Sequence, residues 1–299
     1  MEKDQIINPF FIGRYAGAHY FCDREKDTET LVKHIINGRN VALISPRRIG
    51  KSGLIHHTFA QPEINGRYTT IYVDIYATRN LCEFAKALSE GIVKAVRSEK
   101  AWHEKLFTFL KSLRIGFKID SLSGDPSFDI GIGDIEQPDR TIKEIFEYME
   151  AGDKPCIVAI DEFQQIREYP ETGTEAFIRT LVQQCSRTSF IFCGSKRHTM
   201  TDIFYSPAKP FYNSVEQMFL DRIDRQVYVG FMRRCFEESG REAPAVGVCE
   251  YLYDMFEGHT YYVHQTLHNM YAYYHPEVLV TEALVNDAVD EIIQDKEHS

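Results

Sequence analysis

The chain has 299 residues, of which 43% are hydrophobic and 26% charged, and its formal net charge is −10. This composition is typical of a soluble globular chain and excludes a disordered one, and the acidic balance argues against a protein coated for nucleic acid. No stretch approaches the roughly 18 apolar residues of a membrane helix, so we expect no membrane partner, and no secretory signal is readable. The seven cysteines are odd in number and lack CxxC spacing, so we expect a reducing cytoplasm.

Strands and helices are predicted to alternate over most of the chain. Short apolar or β-branched runs predict strands at Asn40–Ile44, Thr69–Tyr76, Cys156–Ile160 and Ser189–Cys193. Amphipathic spacing predicts helices at Gly50–Phe59 and Asn80–Arg97. Because parallel strands need crossover connections, this alternation predicts an α/β fold with a parallel sheet covered on both faces.

Two regions depart from this alternation. Residues 116–133 carry turn residues between two alternating segments, which predicts a hairpin inserted into the α/β core. After Ile223 only helical patterns follow, at 231–238, 249–256, 261–274 and 281–293. We therefore predict a core domain at 1–223, with the hairpin at 116–133, and a small all-helical domain at 224–299.

The segment SPRRIGKS, residues 45–52, lies between an apolar strand and an apolar helix, where a P-loop is found. Backbone N–H groups around Gly50, Lys51 and Ser52 would lie at a helix N-terminus, which favours phosphate. Gly50 permits close approach, Lys51 can place its charge on the β- and γ-phosphates, and the Ser52 hydroxyl is a Mg²⁺ ligand in such sites. The alternative is a chance GK[ST] triplet at a helix start with a surface lysine.

A second element follows the buried strand Cys156–Ile160, where Asp161 and Glu162 come directly after it. Two carboxylates at the end of a buried strand are costly unless they serve a cation or a proton transfer. Asp161 can hold Mg²⁺ directly or through water, and Glu162 can orient and deprotonate an attacking water. The alternative is a solvated loop in which Asp161 caps the next helix.

The P-loop and the acidic pair together predict an ATP-binding site. Additional-strand P-loop ATPases insert a strand between the P-loop strand and the acidic strand, and usually carry a catalytic Glu after the Asp. The chain order here fits that group, so we predict a P-loop NTPase sheet of the additional-strand type, followed by the helical lid domain.

Five segments together resemble the AAA+-like archaeal/bacterial ATPase family, which is placed with the STAND class of P-loop ATPases. The resemblance spans residues from about 10 to 290, and Pro-Arg-Arg inside the P-loop is a specific feature of that family. The segments are FCDRE (Phe21–Glu25), LISPRRIGKSGLI (Leu43–Ile55), IVAIDEFQQI (Ile157–Ile166), FIFCGSKRHTM (Phe190–Met200) and EGHTYYVHQ (Glu257–Gln265).

The resemblance implies roles for further residues near the nucleotide. The segment Phe21–Glu25 would flank the adenine, with Phe21 and Arg24 as its nucleotide-binding residues. Ser195 would be the sensor 1 residue, which touches the γ-phosphate or positions water. The residues 258–260 would form the lid motif. The remaining P-loop residues expected to bind nucleotide are Pro46, Arg47, Arg48, Ile49 and Gly53. The two arginines are expected either to contact phosphate or a neighbouring subunit, or to be solvated.

The chain departs from the family pattern at three positions. Ser45 replaces the first P-loop Gly, Thr260 stands where Pro is common, and Ser214 stands where Arg is common. The last departure leaves open which arginine completes the transition-state site. Arg187 lies where an AAA+ arginine finger would be, although a helix C-terminal arginine is the simpler interpretation. Family members usually carry a winged-helix domain after the lid, and we expect that this chain lacks one.

Three further features each have two interpretations. Asp74, at a strand end, either holds the catalytic Glu inactive or caps a turn. His264 and His268 have the i,i+4 spacing of zinc ligands, but Gln265 replaces the HExxH glutamate, so ordinary helical histidines are favoured. The tyrosines between Tyr251 and Tyr274 can stack bases, but their helical spacing favours a lid core.

The sequence therefore predicts an ATPase in which MgATP hydrolysis moves the helical lid and acts on a DNA or protein partner, with a homo-oligomer among the expected assemblies. Lys51, Glu162 and Ser195 are the expected catalytic residues, and Ser52 and Asp161 the expected metal ligands. The alternative is a non-hydrolysing nucleotide switch or scaffold, which Ser45 and Ser214 favour. A phosphotransferase is a third hypothesis, against which the Asp161–Glu162 pair argues.

Overall fold

The computed structural model describes residues 8–96, 118–119, 126–127, 135–275 and 277–297. Within these residues the strands are β1 Val41–Ile44, β2 Thr69–Asp74, β3 Lys118–Ile119, β4 Pro126–Ser127, β5 Cys156–Asp161, β6 Thr188–Gly194 and β7 Glu216–Phe219. β3 and β4 pair antiparallel with each other. The rest of the predicted 116–133 insertion lies outside the described residues, so that insertion stays a prediction.

The other five strands form one parallel sheet in the order β2-β5-β6-β1-β7. β6 lies between β1 and β5, with Ile44 in register with Gly194. A strand is thus inserted between the P-loop strand and the acidic strand, which confirms the predicted additional-strand topology. Because the strands are parallel, Ile44, Asp74, Asp161 and Gly194 all end at one edge of the sheet.

Helices make up most of the remaining described chain. They are α1 Glu25–Ile36, α2 Lys51–Phe59, α3 Leu81–Val96, α4 Pro138–Glu150, α5 Thr174–Gln184, α6 Arg197–Tyr205, α7 Arg225–Glu238, α8 Val246–Met255, α9 Thr260–Tyr273 and α10 Glu282–Glu297. Short 3₁₀ helices occur at Ala18–Tyr20 and Phe163–Glu168. The predicted helical C-terminal region is confirmed. None of the helices described is both long and apolar enough to cross a membrane.

Contacts divide the chain into two units. The helical unit comprises Met1–Glu29, Pro46–Ala60 and Leu220–Ser299, and the sheet unit comprises Thr30–Ser45 and Gln61–Phe219. The predicted domain boundary between 223 and 224 stays a prediction. Each unit has its own apolar core, which for the sheet unit includes Phe84, Phe163, Phe190, Phe192, Phe204 and Phe211. The core of the helical unit includes Phe10, Tyr228, Met232, Phe236, Val263, Leu267 and Met270.

A partly buried histidine packs against core residues of the helical unit. The ring of His264 stacks on Tyr228 and Phe231, and its Nδ1 lies 3.2 Å from the carbonyl oxygen of Phe11. Since a carbonyl oxygen only accepts, Nδ1 carries the proton of the neutral ring. Burial lowers the pKa of His264 below its ordinary 6.5; the bond to Phe11 opposes this and His268 adds to it.

Because the pKa of His264 is lowered in the folded protein, we expect the free energy of unfolding to decrease at acidic pH. Below pH 6.5 this histidine is protonated in the unfolded chain but stays neutral in the folded protein. The free energy of unfolding therefore falls as the pH is lowered, by at most about 1.4 kcal/mol per pH unit for one proton. Denaturant unfolding at pH 7.5 and 5.5 should show a smaller loss for His264→Gln than for the parent. The exposed His198→Gln serves as the control. An equal loss in all three proteins would contradict the prediction.

Candidate functional site

The P-loop begins where β1 ends. Ser45, in the sheet unit, still extends the sheet, because its N–H donates to Gly194 O at 3.2 Å. It is not among the six non-glycine residues with positive φ in the described chain, so its backbone conformation does not require the Gly of the general pattern. Gly50 does: it precedes α2 with φ 97° and ψ 18°, the left-handed region. Glycine is therefore needed at the helix entry rather than at the strand exit.

The predicted nucleotide-binding residues 46–53 lie in the helical unit as a loop and the first turn of α2. Lys51 is the first residue of that helix and only 8% exposed, followed by Ser52 and Gly53. The side chain of Ile49 is buried, whereas Pro46, Arg47 and Arg48 are exposed. A helix N-terminus whose first residue is a lysine combines backbone N–H donors with a positive charge, an arrangement that suits phosphate.

An aromatic group contacts the P-loop helix within the helical unit. Phe21 stacks on His57 of α2 at a centroid distance of 4.4 Å, and a Cβ on Gly53 would lie 3.1 Å from the Phe21 ring. Tyr15 Oη lies 2.8 Å from His57 Nδ1. Burial lowers the pKa of His57, with Glu25 opposing, which favours the neutral ring. His57 and Tyr15 belong to this group but were not predicted, since neither lies in a motif.

Arg24 and Arg48, both predicted to bind nucleotide, contact the protein itself. Arg24 is 6% exposed, and its Nη2 donates to the carbonyl oxygens of Asp221 (2.6 Å) and Ile49 (3.3 Å). The Arg48 guanidinium lies over the rings of Tyr261 and Tyr262, at 5.1 and 4.7 Å from their centroids. A direct contact of either arginine with nucleotide stays a prediction.

The acidic pair lies in the sheet unit at the end of β5. Asp161 is 5% exposed; its Oδ2 accepts from Tyr72 Oη at 2.6 Å and its Oδ1 accepts from the N–H of Glu162 at 2.9 Å. Glu162 is left-handed, with φ 56° and ψ 39°. Such a conformation is uncommon for a residue with a Cβ and is concentrated at functional sites. Tyr72 on β2 was not predicted, because its pairing with Asp161 depends on the strand order.

Two side chains hold the carboxylate of Glu162. Its Oε2 accepts from Ser195 Oγ at 2.7 Å and from Gln164 Nε2 at 2.5 Å. Ser195 was predicted as a site residue, and the structure brings it onto Glu162. Gln164 was not predicted, although it lies within the motif segment IVAIDEFQQI; it is 3% exposed and its Oε1 has no hydrogen-bond partner in the described structure.

Three residues discussed in the sequence analysis, Asp74, Arg187 and Ser214, make local hydrogen bonds in the sheet unit. Asp74 Oδ1 accepts from the N–H of Tyr76 at 2.8 Å, the turn-capping geometry. Arg187 donates to the carbonyl oxygens of Glu150, Gly152 and Asp153 at 2.6–3.3 Å, just after α4. Arg187 directly precedes β6 and so lies at the N-terminal ends of the parallel strands, whereas Asp161 lies at their C-terminal ends. Ser214 Oγ donates to Phe211 O at 2.6 Å within a local turn.

The two predicted metal ligands, Ser52 of the helical unit and Asp161 of the sheet unit, are oxygen donors that suit a hard cation rather than a transition metal. Asp161 offers carboxylate oxygens and Ser52 a hydroxyl, the ligand types of Mg²⁺, which keeps several waters and needs few protein ligands. Among the residues described, no group of three or more His, Cys, Asp or Glu side chains could hold a metal. His268 Nδ1 lies 2.8 Å from Phe10 O, so this histidine, like His264, binds a backbone carbonyl.

A comparison with protein families decides the class. The sequence pattern described as "ATPase domain predominantly from Archaea" matches residues 21–266. The chain belongs to this family. It is therefore a nucleotide-binding ATPase domain of the P-loop type, as the P-loop and the acidic pair indicate. No curated protein matches the chain significantly.

Solved structures share this fold at low sequence identity. The Walker-type ATPase PABY2304 of Pyrococcus abyssi superposes with a TM-score of 0.65 at 17% identity, covering 97% of this chain and 77% of that one. The ORC2 protein of Aeropyrum pernix, in its ADPNP–ADP complexes, gives 0.63 at 14%, covering 95% and 71%. The ORC1 protein of the same organism, in complex with DNA, gives 0.60 at 13%, covering 91% and 66%. These likenesses confirm the P-loop NTPase fold.

Proposed function

We propose that this ATPase domain hydrolyses ATP with Glu162 as the residue that orients and deprotonates the attacking water. The observation that carries the proposal is the double hydrogen bond to Glu162 Oε2 from Ser195 and Gln164, directly after a buried strand that ends in Asp161. A carboxylate fixed by two donors after such a strand is positioned for proton transfer rather than solvated at random. The interpretation as a plain helix-capping loop explains neither donor.

The P-loop supplies the phosphate-binding part of the reaction. Lys51 and the N–H groups from Ile49 to Ser52 would bind the phosphate oxygens and stabilise the charge that develops on them in the transition state. Ser52 and Asp161 would hold Mg²⁺, Asp161 directly or through water. When bound, Mg²⁺ neutralises charge on the phosphates. Tyr72 and the N–H of Glu162 orient the carboxylate of Asp161 for this task.

The proposal also covers the class of ATPase, its location in the cell and its partner. We assign the chain to the STAND class, with a cytoplasmic location and a nucleic-acid or protein partner on which hydrolysis acts through the helical region 224–299. Support comes from the segments quoted above and from the ORC1 protein, which was solved with DNA. A homo-oligomer would be one source of the arginine that Ser214 cannot supply.

The test is steady-state phosphate release from MgATP, with Lys51→Ala as the blank. Release should fall to background in Lys51→Ala, because the charge on the phosphates is lost, while the exposed Lys33→Ala should match the parent. Phosphate release by the parent no higher than by Lys51→Ala, with ATP still bound, would contradict hydrolysis by this chain. That result would favour the non-hydrolysing switch.

A further inference from the structure

Two successive carbonyl groups of the P-loop are bound by groups from outside the loop, all within the helical unit. The carbonyl oxygen of Arg48 accepts from Thr260 Oγ1 at 2.9 Å and from the N–H of Tyr261 at 3.2 Å. The next carbonyl, that of Ile49, accepts from Arg24 Nη2 at 3.3 Å. The start of α9 and a buried arginine therefore determine how this part of the loop is turned.

Holding a carbonyl also orients the N–H of the same peptide unit. The peptide unit is planar and trans, so its C=O and N–H point in opposite directions. Thr260 and Tyr261 draw the Arg48 carbonyl towards α9 and thereby direct the N–H of Ile49 the opposite way. Arg24 does the same for the N–H of Gly50. These two N–H groups are among the four, from Ile49 to Ser52, that the proposed function assigns to the phosphates.

The backbone conformation of Arg48 in this loop is an unfavourable one. Arg48 has φ 68°, which is disfavoured for a residue with a Cβ. Its side chain adds a further contact, because the guanidinium lies over the rings of Tyr261 and Tyr262. Contacts of both the backbone and the side chain of Arg48 with the first turn of α9 thus offset the strain.

We propose that Thr260 is a positioning residue for phosphate binding: its hydroxyl, with Tyr261 N–H and Arg24, turns the P-loop so that the N–H groups of Ile49 and Gly50 face the nucleotide. The proposal rests on the proposed function of the P-loop. In the family that the chain resembles, Pro is common at this position. Pro has no hydroxyl and cannot make the hydrogen bond that Thr260 makes to the Arg48 carbonyl. The proposal also makes phosphate affinity depend on the position of α9, whose first residue is Thr260.

The experiment compares the ATP affinity of the full parent chain with that of the Thr260→Val variant. Valine keeps the shape of the threonine side chain and removes its hydroxyl donor. We expect the dissociation constant to rise roughly five-fold, as for the loss of one ordinary hydrogen bond, and Thr260→Ser to restore it. In nucleotide-free protein, the backbone amide NMR signals of Ile49 and Gly50 should move in Thr260→Val and return in Thr260→Ser. A merely structural role would not shift these two signals selectively.

The matched control is Thr266→Val on the same helix. Thr266 is buried and its Oγ1 donates to Tyr262 O, at 3.0 Å, within the helix, so this variant should bind ATP like the parent. Unchanged affinity in Thr260→Val, or an equal loss in Thr266→Val, would overturn the proposal. If instead the parent and Lys51→Ala bind ATP equally well, the proposed function of the P-loop itself fails.

Discussion

Replacing Glu162 by Gln is expected to lower steady-state phosphate release by about 10²- to 10⁴-fold while ATP binding is retained, the contribution typical of a positioned general base. The amide keeps the size of the side chain and still offers an oxygen to Ser195 Oγ, which donates to it at 2.7 Å. It cannot take a proton from water. The loss should therefore appear in kcat, with little change in the affinity for ATP.

A matched carboxylate separates this effect from a general change of charge. Glu168 ends the 3₁₀ helix Phe163–Glu168, which directly follows Glu162. It is exposed and lies 3.7 Å from Lys196, so Glu168→Gln should turn over like the parent. Phosphate release and nucleotide affinity are measured for the three proteins side by side. Turnover by Glu162→Gln within about three-fold of the parent would remove Glu162 from the role of base.

The local backbone explains why Glu162, rather than Asp161, is the candidate base. Asp161 still belongs to β5, and both of its carboxylate oxygens accept hydrogen bonds, from Tyr72 and from the N–H of Glu162. Glu162 leaves the strand in a left-handed conformation that brings its Oε2 onto Gln164 and Ser195. Two neighbouring carboxylates thus acquire different surroundings, which is why we propose different roles for them.

The sequence predicted the central strands well because each is a continuous apolar or β-branched run. β1, β2, β5 and β6 end within two residues of their predicted bounds. β7, Glu216–Phe219, was missed: two of its four residues are charged or amide side chains, and it pairs only with β1, at the edge of the sheet. An edge strand needs no apolar pattern on both faces, so periodicity gives little signal there.

Helices α1, α4, α5 and α6 were not predicted either. For α4 a signal existed, since Ile142, Ile145, Phe146 and Met149 recur at helical spacing and are all buried. The strand order is a different matter. Which strands become neighbours depends on pairings between distant residues, such as Ala42 with Phe192, and local patterns carry no information about them.

The candidate site shows the same division. Lys51, Asp161 and Glu162 follow from motifs, because strand–loop–helix and strand–acid sequences are local. The contact of Tyr72 cannot be predicted from local motifs, because it depends on the strand order. That of Gln164 depends on the left-handed turn at Glu162, and those of Arg48 with Thr260 depend on the packing of α9. Local motifs therefore identify the candidate catalytic and binding groups, whereas the tertiary structure determines which other residues contact and orient them.

Gly194 connects packing with this chemistry, and Gly194→Ala is expected to cost both stability and turnover. A Cβ built on Gly194 would overlap the buried Met200 side chain at Sδ and Cγ and would lie 2.5 Å from Gln164 Oε1. Overpacking of this kind typically costs about 1–3 kcal/mol of unfolding free energy. Because Gln164 also donates to Glu162, its displacement should lower phosphate release beyond what the loss of folded protein explains.

Urea unfolding and phosphate release, normalised to folded protein, test this, with Gly230→Ala as the control. Gly230 lies within α7, and a Cβ at this position would meet no atom of the described residues within 4 Å apart from the backbone of its own helix. Ala there should therefore be neutral or stabilise the protein by up to about 1 kcal/mol. A stable Gly194→Ala with normal turnover would mean that Met200 and Gln164 can move without consequence. Gln164 would then be no more than a packed neighbour, and Ser195 alone would have to hold the carboxylate of Glu162.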